Sequence, residues 1–263
     1  MFRFAKLLFA AIFIVTAATS CPSKAPALLQ EAENKWLEND YREAVRLFLQ
    51  IVDRFPGSPE AETALLRTAE TFMLNLGEFR KAVEYFTLIT LEYPKGKNVH
   101  TAMESMATIF EKSLKDYDQA VIQYQKLIDH GPPGKKDSYQ MSIARCFYLK
   151  GDYPQAIVEY QTLVEQYPRS RLVQEAEYNV GNAYFVMNKC DLAVKRYRKI
   201  LENHPDTSFR FDILLSIGVC MEEKEDYANA LQIYEEILDK YKNRELIQRK
   251  IDFVLSRMKA KNR

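Results

Sequence analysis

The stretch GDYPQAIVEYQTLVEQYP, residues 151–168, decides the fold because nearly the same pattern returns elsewhere in the chain. One copy, beginning at Gly77, reads GEFRKAVEYFTLITLEYP, and another, beginning at Glu225, reads EDYANALQIYEEILDKYK. In each copy the apolar residues recur three or four positions apart, which places them on one face of an α-helix. Two of the copies end at a proline, which stops a helix because it has no N–H to donate. The pattern therefore predicts a repeated helix.

Six copies of this helix align on one alanine. The alanines are Ala44, Ala82, Ala120, Ala156, Ala193 and Ala230, spaced by 38, 38, 36, 37 and 37 residues. Three positions before them stand Tyr41, Phe79, Tyr117, Tyr153, Cys190 and Tyr227, and four positions after them stand Phe48, Phe86, Tyr124, Tyr160, Tyr197 and Tyr234. Twelve positions after them stand Pro56, Pro94, Pro132, Pro168 and Pro205, whereas the sixth copy has Lys242. A small residue lets two helix axes approach to about 8–10 Å, and the ring fills the space beside that crossing.

A second helix precedes each copy. In AEYNVGNAYFVM a small residue, Gly181, is followed three positions later by Tyr184, and Ala144 and Phe147 repeat that spacing. Each unit is therefore predicted to be a helix–turn–helix with a small residue where its two helices pack closest. The scarcity of glycine, with 8 in 263 residues, and the absence of period-two alternation argue against strands.

The order of small residue, aromatic, [YF]xxA, aromatic, aliphatic and proline is identified as the tetratricopeptide repeat (TPR) pattern, over residues 27–241. The resemblance implies an all-α solenoid of about six helix–turn–helix units, 36–38 residues long instead of the family's usual 34, with the surplus around the junctions between units. The tail, residues 242–263, carries a net charge of +6 and repeats apolar residues at helical spacing: Leu246, Ile247, Ile251, Val254, Leu255 and Met258. Because a solenoid needs an end with one polar face, we expect a basic capping helix there.

The first 20 residues have the layout of a signal peptide. Arg3 and Lys6 precede an apolar run that is too short for a bilayer, which needs about 20 residues, and small residues follow. The segment ATSC, ending at Cys21, resembles the bacterial lipoprotein signal, which implies a lipid on Cys21 and a tether over residues 21–26. Ordinary signal cleavage at the same bond is the alternative, and an uncleaved anchor is a third.

Cysteine usage leaves two interpretations open. If Cys21 carries lipid, the three remaining cysteines, Cys146, Cys190 and Cys220, are an odd number, and all lie in helical patterns. The sequence therefore favours free cysteines that pack as small apolar residues. A Cys190–Cys220 bridge in an oxidising periplasm is the alternative.

No catalytic arrangement is visible in the chain. The histidines, His100, His130 and His204, fall outside any HExxH motif, and no CxxC, GxSxG or phosphate-binding glycine loop occurs. The formal net charge of +1 gives no case for nucleic-acid binding. We expect no enzymatic activity, cofactor, metal or small-molecule substrate.

The TPR resemblance implies a binding surface for a protein or peptide, since the first helices of such units line a concave groove. The groove candidates are Trp36, Met73, Arg145, Tyr148, Tyr178, Asn182 and Phe185. Arg145 and Asn182 directly follow the small residues of units 4 and 5, where TPR modules place donors to a peptide. Alternatively, Arg145 and Asn182 are polar residues beside a helix packing site with no binding role. Trp36 equally fits the core of unit 1, which is the alternative for that residue.

An exported TPR chain is similar to several envelope families of bacteria. The ATSC segment and the junctions FPGSPEAETAL, from Phe55, and YPRSRLVQEAE, from Tyr167, resemble the BamD family of outer-membrane assembly lipoproteins. That resemblance implies a multiprotein complex at the periplasmic face of the outer membrane. Two features differ from what is typical of that family: the number of units, which is six here, and the sequence GPPGKK of the third junction. The CpoB family, which links cell division to Tol–Pal, and the pilotin-like TPR lipoproteins of type IV pili are the alternatives.

Overall fold

The computed structural model describes residues 24–131 and 133–261, and over these residues the protein contains thirteen α-helices and no strand. The first helices of the six units are α1 (Ala25–Leu37), α3 (Pro59–Thr71), α5 (Val99–Thr108), α7 (Lys136–Lys150), α9 (Val173–Val186) and α11 (Arg210–Glu223). The second helices are α2 (Tyr41–Arg54), α4 (Phe79–Glu92), α6 (Tyr117–His130), α8 (Tyr153–Gln166), α10 (Cys190–Asn203) and α12 (Tyr227–Ile237). A final helix, α13, spans Arg244–Lys261.

The helices stack as a solenoid. Each helix packs chiefly on the helices before and after it in the chain, and first helices of adjacent units, such as α1 with α3 and α9 with α11, also touch. The all-α fold, the six helix pairs and the capping helix are thereby confirmed. None of the helices in the described ranges is long and apolar enough to cross a membrane.

The alanine and aromatic columns form the interior. All six alanines are fully buried, and the aromatic residues four positions later are buried in every unit, with Phe48, Phe86, Tyr197 and Tyr234 completely inaccessible. Gly181 and Gly218 mark the closest crossings, because a Cβ at either position would overlap the ring of Tyr197 or Tyr234. The small residue and the ring of one unit therefore determine how near its two helices lie.

Every turn within a unit uses the same backbone conformation. Five positions before each alanine, a residue has positive φ: Asn39, Gly77, Lys115, Gly151, Asn188 and Glu225. This left-handed residue ends the first helix, as is common at helix C-termini. In four units an aspartate follows it and accepts a hydrogen bond from the first turn of the second helix: Asp40, Asp116, Asp152 and Asp226.

Two first helices end in π-helical turns, Phe72–Leu76 after α3 and Ile109–Leu114 after α5. Thirteen residues separate Ala69 from Ala82 in unit 2, whereas twelve separate Gly181 from Ala193 in unit 5. The extra residue in units 2 and 3 is absorbed as a wider turn, closed in unit 2 by a 2.9 Å bond from the Glu78 N–H to the Phe72 carbonyl. The residues beyond the family's usual repeat length were predicted to lie at the junctions between units. For one residue in each of units 2 and 3 this prediction is wrong, because that residue lies within the unit, in the π-helical turn.

Units 5 and 6 are joined covalently. Cys190 and Cys220 form a disulfide between α10 and α11, with Cα atoms 5.3 Å apart. The prediction that both cysteines are free is therefore wrong. The physical reason is that Cys190 replaces the ring found at this place in the other five units, which leaves room for Cys220 of the next helix. Cys146 remains a free, buried thiol, and burial raises its pKa to about 12.

The capping helix α13 closes the solenoid. Ile247, Ile251 and Val254 are buried against α12, while Leu255 and all the basic side chains except Lys250 are exposed. Lys250 reaches back to the Glu222 carboxylate at 3.1 Å, which fixes the cap to the first helix of unit 6.

The predictions for the signal peptide over residues 1–20 and for lipid on Cys21 lie outside the described residues. Helix α1 begins at Ala25, inside the segment assigned to the tether.

Candidate peptide-binding groove

One column of the first helices carries most of the predicted groove residues. Four positions after each small residue stand Trp36, Met73, Glu111, Tyr148, Phe185 and Glu222. The two glutamates were missed in the sequence because carboxylates on a helix usually belong to the solvated face. The sequence feature that could have identified them is their position, since the other four residues of this column are apolar or aromatic.

Aromatic side chains lie on α7, on α9 and just before α11. Tyr178 stacks on Phe209, with centroids 4.5 Å apart, and lies 6.2 Å from the ring of Tyr197. Tyr148 packs edge-on against Tyr153 at 5.2 Å. Burial raises the pKa of Tyr178, as do the nearby Asp212 and Tyr148. We call Tyr148, Tyr178, Phe185 and Phe209 the aromatic surface; all four are half-buried, so each remains partly accessible to solvent.

Asn182 lies one turn after Tyr178 on α9 and is half-buried. Its Oδ1 accepts a 2.7 Å hydrogen bond from the Tyr197 hydroxyl, and its Nδ2 donates to Asn179 Oδ1 at 3.3 Å. An amide carries two N–H donors and an acceptor with two lone pairs. These two bonds therefore orient Asn182 and leave capacity for a peptide group.

Arg145 occupies the equivalent place on α7 but is held more firmly. Its Nε donates to Glu111 Oε1 at 2.7 Å, and a terminal nitrogen donates to Ser142 at 3.2 Å. The other oxygen of Glu111 accepts a 2.6 Å bond from Tyr124. The Glu111 side chain is 3% exposed and that of Arg145 is 44% exposed. Arg145 therefore neutralises a buried carboxylate between units 3 and 4 and retains an open face.

Trp36 and Met73 lie apart from the aromatic surface. Trp36 packs on the core of unit 1 and also lines a cleft of about 180 Å³ with Glu33, Leu37, Phe48 and Arg67. Met73 lies in the π-turn of unit 2 and packs on its core. The seven predicted residues are thus distributed over units 1, 2, 4 and 5, and only those of units 4 and 5 adjoin one another. No group of metal-ligating side chains occurs within the described ranges.

Comparison with known proteins agrees with this architecture. A tetratricopeptide repeat model matches residues 29–96 and 178–245, and a second one matches residues 101–130 and 139–170. No curated protein matches the chain.

Solved structures show the same fold at low sequence identity. The C-terminal part of a TPR protein from Cytophaga hutchinsonii is 21% identical, with a TM-score of 0.57 over 88% of this chain and 94% of that one. PilW, a type IV pilus biogenesis factor, is 15% identical, with a TM-score of 0.51 over 88% and 98%. YrrB, a TPR protein with an unusual peptide-binding site, is 16% identical, with a TM-score of 0.51 over 81% and 97%. Together with the repeat columns, the matches show that this chain belongs to the tetratricopeptide repeat family.

Proposed function

We propose that the protein is a non-catalytic scaffold of the bacterial envelope that binds a segment of a partner protein on its first helices. The observation that carries this proposal is the half-buried aromatic surface beside Asn182. Rings that are already packed lose little conformational freedom on binding, and an oriented amide can bond the backbone of an extended peptide. This combination suits an extended segment with apolar side chains.

Export is supported by two independent features. The N-terminal layout is that of a signal peptide ending at Cys21. The Cys190–Cys220 disulfide suits an oxidising compartment such as the periplasm, since thiols stay reduced in the cytosol. We therefore place the mature protein at the periplasmic face of the outer membrane, attached through lipid on Cys21. In the lipoproteins that this segment resembles, an aspartate after the lipidated cysteine retains the protein at the inner membrane. This chain has Pro22 at that position, which favours the outer membrane.

Outer-membrane protein assembly, as in the BamD family, is the role that we put first, because the junction phrases of units 1 and 4 resemble that family. A role in type IV pilus assembly is the second candidate. PilW matches this chain over nearly its whole length, which is compatible with that role, although the likeness itself concerns the fold. A CpoB-like role in division remains a further alternative.

Two measurements test the proposal. Labelling cells with a lipid precursor should tag the wild-type protein and leave a Cys21→Ala variant unlabelled and outside the membrane fraction. Tyr178→Ala should reduce co-purification of the partner from crosslinked membranes, whereas Val158→Ala, at a 51% exposed position on a second helix, should not. Equal recovery with both variants would contradict a binding role for the aromatic surface.

A further inference from the structure

A second surface lies on the other side of the solenoid, on α10. This helix contains the run KRYRK, residues 195–199, in which only Tyr197 points into the core. The other four residues, Lys195, Arg196, Arg198 and Lys199, form no ion pair within the described part of the chain. Neighbouring second helices differ: α8 has two glutamates and no basic residue, and so does α12. The basic run of α10 is therefore not repeated on the second helices of the two adjacent units.

Three of these side chains, Lys195, Arg198 and Lys199, border a cleft between units 5 and 6. The cleft has a volume of about 570 Å³ and is lined by Asp191, Val194, Lys195, Arg198, Lys199, Glu202, Met221 and Lys224. A smaller cleft that contains Cys190 shares Asp191 and Lys224 with it. The opening thus lies beside the position where cysteine replaces the usual aromatic ring.

The charge balance of the cleft is positive. Asp191 is paired with Lys224, which leaves Lys195, Arg198 and Lys199 against Glu202. Val194 and Met221 supply apolar surface to the same cleft. A cationic border around an apolar floor complements a peptide in which carboxylates alternate with apolar side chains.

We propose that this cleft binds an acidic, partly apolar segment of a partner protein, separately from the aromatic surface. A membrane surface is a less suitable partner than a peptide. A flat bilayer would contact the basic residues at the border of the cleft but would not reach Val194 and Met221 inside it. Nucleic acid fits less well because four clustered cations do not form a stripe that follows a phosphate backbone, and Glu165 and Glu177 lie beside Arg196 and Lys199.

The test uses a fluorescent peptide of alternating Glu and Leu pairs, with its Gln counterpart as the uncharged probe, and the purified disulfide-bonded protein. We expect anisotropy to show binding of the Glu peptide, weaker binding of the Gln peptide, and loss of affinity as salt is raised. Arg198→Glu combined with Lys199→Glu should weaken binding by about tenfold or more.

The matched control is Arg80→Glu combined with Lys126→Glu. Both residues are exposed on second helices, and Lys126 occupies in unit 3 the place of Lys199 in unit 5. This control and Tyr178→Ala should leave Glu-peptide binding unchanged, so failure of the aromatic-surface proposal is distinguishable from failure of this one. Equal binding by the Arg198/Lys199 variant, or no binding of the Glu peptide at low salt, would overturn the proposal. So would binding of phosphatidylglycerol vesicles that requires Arg198 and Lys199 while the peptide stays unbound.

Discussion

Removal of the Cys190–Cys220 disulfide is expected to destabilise the C-terminal end of the solenoid selectively. The bridge closes a loop with a sequence separation of 30 residues. On the chain-entropy model, such a cross-link lowers the entropy of the unfolded chain enough to stabilise the fold by about 3.5 kcal/mol at 25 °C. Because repeats contact only their neighbours, the loss should fall on units 5 and 6 and on α13.

Thermal unfolding followed by two probes measures this effect. Circular dichroism reports all helices, whereas the fluorescence of Trp36, the single tryptophan, reports unit 1. Cys190→Ala combined with Cys220→Ala, or reductant added to the wild type, should lower the C-terminal transition by more than about 10 °C. The Trp36 transition should move much less. Cys146→Ala is the matched control, since its loss of one buried sulfur should leave the response to reductant intact.

Two results would refute this reasoning. If mass spectrometry confirms reduction but the melting curve is unchanged, the bridge does not constrain the unfolded chain as calculated. If both probes shift by the same amount, the six units unfold as one cooperative block, and the nearest-neighbour description of the solenoid is wrong.

Three further substitutions test local features. Lys115→Gly should stabilise the protein by about 1 kcal/mol in urea denaturation, because a side chain at positive φ is strained; unchanged stability would contradict that strain. Gly181→Ala should destabilise by about 1–3 kcal/mol in the same assay, because the added methyl group overlaps the ring of Tyr197; a gain, as helix propensity alone predicts, would show that the crossing is loose. Arg145→Ala should cost about 1–3 kcal/mol, because the buried Glu111 carboxylate loses a hydrogen-bond donor. Adding Glu111→Gln should recover part of this loss, and no recovery would show that the loss comes from packing.

The columns of alanine, ring and proline were enough to predict the solenoid. Each column arises because the same packing contact or helix end recurs from unit to unit, so the repeat can be recognised from the sequence alone. The left-handed turns were only partly visible: Gly77 and Gly151 suggest one, whereas Lys115 and Glu225 adopt the same conformation without a glycine signal.

The remaining differences come from contacts between units. The pairing of Cys190 with Cys220 depends on how closely α10 and α11 stack, which spacing along the chain does not specify. Arg145 and Asn182 occupy equivalent places, yet one pairs with Glu111 from the preceding unit and the other with Tyr197 of its own unit. Because repeat alignment treats units as identical, it cannot separate these two roles.

Site-specific photo-crosslinking in cells tests the central claim most directly. A photoreactive residue at Tyr178 probes the aromatic surface, and the same residue at Val158 probes the outward face of α8. We predict one envelope protein crosslinked from position 178, identified by mass spectrometry, lost when Asn182→Leu is added, and absent from position 158. Adducts that are equal at both positions, or that persist with Asn182→Leu, would contradict binding of a partner segment on the first helices.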